Sequence, residues 1–479
     1  MPDTTPTSPV LTGRSIILTD ATSITKDNVV EVLSSALLLH ETNRVEIDYL
    51  YNYNKGNQPI LNREKKVRPE INNKVVANRA NEITSFKVGY LLGEPLQYVS
   101  RSASRNVTDT INELNECMYA EDKGSKDKDL AEWFTICGTA FRMVLPSKDP
   151  GDESPFKIYT LDPRYCFVVY NNGLGGKPVM GVKYIQRVSD GVCVFSVYTE
   201  TEYFEIESGV ITKHEKHTLH AIPIIEYPAN NARLGAFEVV IPLLDAYNLA
   251  QSDRINGLEQ FIQALIKFVN VDINTEDFEK LKDMGGIKFK SDSQNPADVA
   301  YITPEVNQQN TKIILDDLYQ TILTIVGMPN RNGGTSTSDT GSAVIMRDGW
   351  EVAEAKAKDT EQTFKKSEKQ FLRLVLHIGS VFKHWDLKVS EVDLRFTRRN
   401  YENIANKATV LTQMLGCEKV HPKLAFAHSG MFADAELAYK MSMEYYAEQQ
   451  KKAAAAAPTP GGNNPKGDDD DGSDTEPKE

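Results

Sequence analysis

Apolar side chains recur at steps of three and four residues in three long stretches between residues 236 and 383, and this spacing predicts helices. The first stretch covers 236–267, and Pro242 fits its first turn, where a missing N–H costs no hydrogen bond. The second covers 304–328 and ends at Gly327-Met328-Pro329. The third, from Gly349 to Lys383, would be about 50 Å long at 1.5 Å per residue. Such lengths favour an elongated subunit that packs against copies of itself.

The N-terminal part of the chain is also mainly helical in pattern. Apolar spacing predicts helices over 26–53, 72–92, 107–119 and 127–135, with a short strand at 96–99. Residues 1–23 begin with a Pro-, Thr- and Ser-rich stretch, so we expect a flexible arm there.

From residue 140 to residue 228 the pattern changes to a period of two. Strand-like runs cover 141–145, 157–161, 166–170, 179–185, 192–198 and 203–206, and turn clusters such as Asn171-Asn172-Gly173 separate them. The pattern predicts one meandering, largely antiparallel sheet that ends at 222–228.

A short insert, 268–303, separates the first two long helices. Its pattern predicts strands at 269–272, 286–290 and 299–302 and a helix at 275–284. A segment this short buries little core on its own, so we expect it to be stable only between neighbouring copies.

The last part of the chain returns to strands and then to helices. We expect strands at 387–389 and 392–396 and a helical region over 401–450, broken near Gly416 and Gly430. Residues 458–479 carry seven acidic and two basic side chains, so we expect disorder over 457–479.

Composition narrows the function classes. The formal net charge of −13 argues against a protein that binds nucleic acid through its overall field, but it is compatible with one that lets nucleic acid pass. Five widely spaced cysteines without a CxxC pair predict reduced thiols and argue against structural zinc. No run of about 18 apolar residues and no apolar signal core occur, so we expect neither a membrane span nor a secretion signal.

The segment 332–342 is rich in Gly, Thr and Ser and resembles a phosphate-binding loop before a helix. It lacks the lysine of a P-loop and follows a helix rather than a strand, which argues against a nucleotide site. Two readings remain open: a plain connector, or a loop that contacts a polyanion without binding it tightly. Arg331 and Arg347 flank the segment as a weak positive collar.

Other candidate chemistry is sparse. His214, His217 and His220 follow one another at steps of three at the end of the strand region, where a solvated hairpin is favoured over a zinc site. No GxSxG, HExxH or GxGxxG motif is present, so we expect no enzyme activity and no cofactor. The long third helix divides into a polar half over 351–362 and an apolar stripe over 364–382, which fits either an ordinary amphipathic helix or a lever beside the 332–342 segment.

The order of several short strings resembles the portal proteins of tailed bacteriophages, in the branch common among siphophages of Gram-positive hosts. The matching strings, taken in order, are 78–81, 89–98 (GYLLGEPLQY), 137–141 (CGTAF), 222–231 (IPIIEYPANN), 237–247 with 251–253, and 338–343 leading into the long helix. Each string is weak alone, but together they span about residues 70–385, and their order is specific.

The resemblance implies an α+β fold in an elongated subunit and a ring, usually of about twelve subunits, at one capsid vertex. It assigns an N-terminal arm to 1–23, a wing to 24–235 and 348–400, stem helices to 236–267 and 304–328, a clip to 268–303, a channel loop to 329–347, a helical crown to 401–456 and an acidic tail to 457–479. Pro242 within the stem and the acidic tail depart from the pattern.

The resemblance also implies the site residues. The DNA-facing loop would present Arg331, Asn332, Gly333, Gly334, Thr335, Ser336, Thr337, Ser338 and Arg347. The clip helix would present Glu276, Asp277, Lys280, Lys282 and Asp283 to the terminase or to adaptor proteins. The implied partners are identical subunits, double-stranded DNA, the terminase large subunit, head–tail adaptors, and major capsid and scaffolding proteins, in a virion assembled in the host cytoplasm. The alternatives are another head–tail or minor head protein, or a nucleic-acid-processing ATPase.

Overall fold

The computed structural model describes residues 7–101, 104–149, 151–262, 265–270, 296–302, 308–330, 349–398, 404–432 and 435–456. The chain divides into two compact units, Met1–Asn400 and Tyr401–Glu479. Helices and strands both contribute to the first unit, so the α+β class expected from the pattern is confirmed.

The helices of the first unit follow the predicted apolar periodicity. They are α1 (Val29–Asn54), α2 (Arg79–Leu91), α3 (Arg105–Ala120), α4 (Lys123–Cys137), α5 (Ile241–Ile262), α6 (Gln308–Val326) and α7 (Trp350–Phe382). Pro242 lies in the first turn of α5 as predicted, and α6 ends where Gly327 takes a φ of +68°. The 33 residues of α7 make it about 50 Å long.

The described strands of the first unit form two main sheets and two small ladders. They are β1 (Ile17–Thr19), β2 (Gln97–Ser100), β3 (Thr139–Pro146), β4 (Phe156–Leu161), β5 (Cys166–Asn171), β6 (Pro178–Gln186), β7 (Cys193–Tyr198), β8 (Glu202–Glu207), β9 (Val210–Lys216), β10 (Ile224–Pro228), β11 (Leu265–Val269), β12 (Asp298–Ile302) and β13 (Val392–Arg395). A six-stranded sheet has the order β1-β5-β6-β7-β8-β9, and a three-stranded sheet has the order β10-β3-β4. The expectation of one sheet is therefore wrong, because β3 pairs with β10 across about 80 residues rather than with β5.

The structure also corrects the expectation of a flexible N-terminal arm. Residues 17–19 pair with 169–171 as a parallel edge strand of the larger sheet. Just before them, Arg14 is 3% exposed, and its guanidinium bonds Glu238 at 2.7 Å and the Cys137 carbonyl at 3.2 Å. A flexible arm over 1–23 is thus wrong for this stretch, because a buried arginine pairs with a carboxylate 224 positions away.

Three predicted element bounds are also wrong. Residues 72–78 belong to neither a helix nor a strand, and α2 begins only at Arg79. Leu265 and Ile266, expected at the end of the first long helix, belong to β11, which pairs with β12. Residues 387–389 form no strand; the 389–391 segment is a short 3-10 turn before β13. The predicted strand at 299–302 is confirmed as part of β12, whereas 286–290 and the 275–284 helix lie outside the described residues.

The second unit contains α8 (Ile404–Leu415), α9 (Pro422–Ser429) and α10 (Ala435–Ala456), with breaks after Leu415 and at Gly430, as predicted. Phe426 is the largest buried side chain among its described residues, and it stacks on Phe432 with the ring centroids 5.5 Å apart. Large apolar side chains on α10 stay exposed, among them Met441 at 61% and Tyr445 at 65%. The predicted acidic tail, 457–479, lies outside the described residues.

Candidate functional site

The channel-loop and clip residues that the resemblance assigned lie outside the described ranges. This holds for the loop residues Arg331 to Ser338 with Arg347, and for the clip residues Glu276 to Asp283. The structure does describe the elements that enter and leave both segments: the end of α6 and the start of α7 around 331–348, and the β11–β12 ladder around 271–295. The candidate site therefore consists of the described elements that hold the ends of these two segments, and we call these elements the frame.

The end of α6 is held by side chains from two other helices. Ile325 and Val326 belong to the last turn, whose carbonyls have no partner within the helix. Lys87 of α2 donates to the Val326 carbonyl at 2.7 Å, and Lys356 of α7 donates to the Ile325 carbonyl at 2.5 Å. Cations are favourable at a helix C-terminus because they oppose its negative dipole end. We call Lys87 and Lys356 the lysine clamp.

The environment of the lysine clamp is unusual for two ammonium groups. Burial, together with the nearby charge of Lys356, lowers the pKa of Lys87 to about 8. Burial also lowers the pKa of Lys356. Gly327 leaves room for the clamp, since a Cβ there would lie 2.6 Å from Lys356 Cδ. The clamp thus fixes the point where α6 leads into the 331–348 segment.

The start of α7 is anchored on the same helix, α2. Gly349 precedes α7 with a φ of +80°, and Trp350 packs against Phe86 and Tyr90, with ring centroids 6.1 and 5.9 Å away. The Tyr90 hydroxyl donates to Glu354 at 2.9 Å. Both ends of the 331–348 segment are therefore tied to one face of α2.

Helix α2 also supports the middle of α5 and α6. The Arg79 guanidinium lies over the rings of Tyr319 and Tyr247, at 4.1 and 5.5 Å from their centroids. Glu82 accepts from Arg79 at 2.7 Å and from the Tyr319 hydroxyl at 2.8 Å. A stacked, paired arginine of this kind is geometrically demanding, so it fixes the relative positions of three helices.

The extended stretch before α2 is bound to α5 by side chains rather than by a strand. Its backbone N–H groups at 73, 75 and 77 donate to Asn256, Ser252 and Asn248, at 2.7, 2.9 and 2.9 Å. Alternate residues of an extended chain are about 6.7 Å apart, and residues four apart on a helix are about 6 Å apart, so the two periods match. This match explains why an apparently helical sequence is extended here.

The second half of α7 is held by a buried charge network, which we define as Glu368, Lys123, Asp127 and Arg142 with the hydroxyls of Tyr98 and Tyr227. Glu368 accepts from Lys123 at 2.9 Å, from Arg142 at 3.3 Å, from Tyr98 at 2.5 Å and from Tyr227 at 2.6 Å. Asp127 accepts from Lys123 at 2.7 Å and from Arg142. The four charged side chains are at most 4% exposed.

The charges in this network cancel, and that neutrality makes its burial possible. Burial opposes ionisation of Glu368, but the charges of Lys123 and Arg142 and the two tyrosine hydroxyls outweigh it and lower the pKa of the carboxyl. Burial and the same carboxylate raise the pKa of both tyrosines well above the usual value. The network joins α7 to α4, β2, β3 and β10, so α7 has one allowed register.

The apolar stripe of α7 is mostly buried as predicted. Phe364, Phe371, Leu374, Val375 and Ile378 are at most 2% exposed. The predicted stripe is wrong for Val381 and Phe382, which are 58% and 55% exposed at the end of the helix.

The predicted histidine cluster forms part of a hairpin, as expected. His214 lies on β9 and stacks on Phe204 of β8, with ring centroids 4.6 Å apart. His217 bonds the Thr199 carbonyl at 3.2 Å, and burial lowers its pKa. Among the described residues no group of three or more His, Cys, Asp or Glu side chains could hold a metal ion, and no described helix is long and apolar enough to cross a membrane.

The long helices leave apolar side chains uncovered in the single chain. On α6, Ile313, Ile314 and Ile325 are 60%, 57% and 42% exposed, and on α5, Ile255 and Leu258 are 42% and 52% exposed. Exposed branched aliphatic residues on neighbouring helices are typical of a surface that another protein covers.

Sequence reasoning missed both the buried charge network and the lysine clamp. Glu368 stood within the apolar stripe, and a carboxylate at a core position was the signal for a buried partner. Nothing in the sequence marked Lys87 or Lys356, because their partners are backbone carbonyls.

The chain matches a family model described as phage portal protein, SPP1 Gp6-like, over residues 39–456. The portal protein of Clostridium phage phiCD119 is 21% identical over 429 residues, which cover 83% of this chain and 90% of that protein. Two solved structures, the neck of an empty GTA particle computed with C6 symmetry and the neck of a native GTA particle computed with C12 symmetry, each give a TM-score of 0.42. They are 10% and 9% identical and cover 74% of this chain and 90% and 91% of theirs, a likeness too low to carry an argument. The match to the family model spans most of the sequence, and the chain therefore belongs to the SPP1 Gp6-like family of phage portal proteins.

Proposed function

We propose that the chain is the subunit of a closed portal ring, of about twelve copies, at one vertex of a phage capsid. DNA would pass through its centre during packaging and ejection. The single observation that carries the proposal is the exposure of aliphatic side chains on α5 and α6, which identical neighbours would bury. The exposed apolar side chains of α10 would be covered in the same way.

In this proposal α5 and α6 are the stem, 268–303 is the clip, 329–347 is the channel loop, and the second unit is the crown. The loop residues Arg331 to Ser338 and Arg347 would face the duplex. DNA carries a charge about every 1.7 Å, so a Gly/Ser/Thr loop with few cations would let it slide. The clip residues Glu276 to Asp283 would contact the terminase large subunit and later the head–tail adaptors. Major capsid and scaffolding proteins would surround the wing.

The chain would have no catalytic activity of its own, and the ATP-driven work would belong to the terminase. ATP hydrolysis by the purified chain alone would favour the alternative of a nucleic-acid-processing ATPase. A different head–tail component would instead fail to form a portal-sized ring.

The test of the ring uses Ile313→Glu/Ile314→Glu. Electron micrographs of the purified wild-type protein should show annular particles, and the variant should remain monomeric because two carboxylates cannot be buried unpaired. Thr108→Glu/Asn112→Glu on the exposed face of α3 is the matched control and should assemble. Rings that form normally in the Ile313→Glu/Ile314→Glu variant would refute the role of this surface.

The test of the channel loop is a deletion within 332–342. We expect rings to assemble but DNA packaging in an infected-cell or extract assay to fail. Normal packaging by the shortened protein would remove the proposed role of the loop while leaving the ring intact.

A further inference from the structure

The exposed side of α7 carries a row of three cations. Lys366, Lys369 and Arg373 are exposed, and none of them makes an ion pair in the part of the chain that the structure describes. By contrast, Lys358 and Lys365 on the same helix pair with Glu354 and Glu361. Unpaired cations in a row are unexpected in a chain of net charge −13.

These cations form one wall of a groove. A cavity of about 960 Å³ lies between α7, the edge strand β1, β10 and the 175–178 turn, and Lys366, Arg373 and Lys177 line it. Lys369 lines an adjoining surface depression that shares Lys366 and Arg373. We call Lys177, Lys366, Lys369 and Arg373, with the cavity beside them, the basic groove.

The opposite side of the basic groove is aliphatic. Ile16 and Leu18 line it and are 45% and 49% exposed, and Ile222 and Pro178 continue it. Glu226 also lines the groove, but Arg233 neutralises it at 2.6 Å. Glu200 is the exposed carboxylate among the lining residues, so cations outnumber acids there.

We propose that the basic groove binds an extended protein segment in which acidic and aliphatic residues alternate. Alternate side chains of an extended segment lie on opposite faces, so one face would carry carboxylates and the other aliphatic groups. Carboxylates two positions apart would be about 6.7 Å apart, close to the 6 Å between residues four apart on α7. The aliphatic face would then rest on Ile16 and Leu18.

A nucleic acid fits this surface less well. A phosphodiester backbone would satisfy the cations, but it has no aliphatic face to cover Ile16 and Leu18. The inference goes beyond the proposed ring, and it concerns a protein partner rather than the DNA in the channel. Ring formation can be measured on the same samples, so failure of one proposal is distinguishable from failure of the other.

The test is fluorescence anisotropy with the full chain. The probe is a labelled synthetic peptide in which Asp or Glu alternates with Leu, Ile or Val, and two further probes are the same peptide with Asn and Gln in place of the acids and a single-stranded DNA of similar length. We expect saturable binding of the acidic peptide, weakened by added salt because exposed charge pairs are screened. The amide peptide should bind much more weakly.

The variant Lys366→Glu/Arg373→Glu should weaken binding of the acidic peptide by about tenfold or more, since each reversal replaces an attraction with a repulsion. The control Arg101→Glu/Lys128→Glu makes the same charge change at exposed cations that do not line the groove, and it should alter binding less than about twofold. Circular dichroism of both variants should match the wild type, because the four side chains are exposed. Absence of binding to the acidic peptide, equal binding of the amide peptide, or preference for the DNA would each overturn the proposal.

Discussion

Replacement of Glu368 by Gln should be the most damaging isosteric change in the first unit. The side chain is fully buried and accepts from four donors, two of which are cations. Gln has nearly the same shape, so packing is preserved and the electrostatic effect is isolated. Lys123 and Arg142 would then share Asp127 as their one anionic partner within the network, which would leave one positive charge buried.

The expected cost follows from that uncompensated charge. Removing one partner of a buried ion pair typically costs about 3–5 kcal/mol. A surface change on the same helix, such as Glu351→Gln in its exposed first turn, should stay within about 0.5 kcal/mol. The free energies of unfolding should be compared by urea denaturation at neutral pH, with one common dependence of free energy on urea concentration fitted to all variants.

A second substitution separates charge from lost hydrogen bonds. Lys123→Met in the Glu368→Gln background restores neutrality, with Arg142 opposite Asp127. We expect the double variant to lose less stability than the sum of the two single losses, because the members of one network are coupled. A loss below about 1 kcal/mol for Glu368→Gln, or strict additivity in the double variant, would refute the reasoning.

The pH dependence of unfolding gives an independent check. The pKa of Glu368 is lowered in the folded state, so its contribution is present above its unfolded pKa and is lost as pH falls through the folded pKa. The wild type should therefore lose stability on acidification more steeply than Glu368→Gln, which has no such group. Parallel acid profiles would contradict the assignment.

Three further predictions concern the frame around α2, α5 and α7. Gly379→Ala should destabilise by about 1–3 kcal/mol in urea unfolding, because the new Cβ would lie 2.0 Å from the Trp385 ring; wild-type stability would contradict the fit. Between about pH 8 and pH 10.5 the unfolded state binds the Lys87 proton more tightly than the folded state does, so the stability of the wild type should rise with pH over this range. Lys87→Met should remove that rise, and an unchanged alkaline profile would refute the lowered pKa of Lys87. Ser252→Ala should cost about 1–3 kcal/mol by leaving the Val75 N–H without its acceptor, and amide exchange at Val75 should accelerate; unchanged exchange would refute the bond.

The hydrophobic pattern was sufficient for most helices and strands because each buries one face in the same unit. Thus α1, α6 and α7 begin and end within a few residues of the predicted bounds. The long-range pairings were not predictable in this way. Nothing local in Ile17–Thr19 indicates a partner at 169–171, and the apolar residues of 72–78 fit a helix until Asn248, Ser252 and Asn256 offer their side chains.

The candidate site could likewise be predicted only in part. Glu368, a single carboxylate in the apolar stripe of α7, indicated a buried partner. Its network partners Lys123, Asp127 and Arg142 lie on other elements, and nothing in the local sequence distinguished them from surface residues. The loop and clip residues were assigned by resemblance, and they stay predictions. The fold of one chain determines how their ends are held, whereas their roles depend on partners.

The mass of the purified protein at increasing concentration tests the central claim most directly. A ring of about twelve chains of 53.6 kDa would weigh about 0.64 MDa, and native mass measurement should give closed assemblies of that size. A protein that stays at 53.6 kDa at the highest concentrations, with the aliphatic side chains of α5 and α6 still exposed to solvent, would contradict the account.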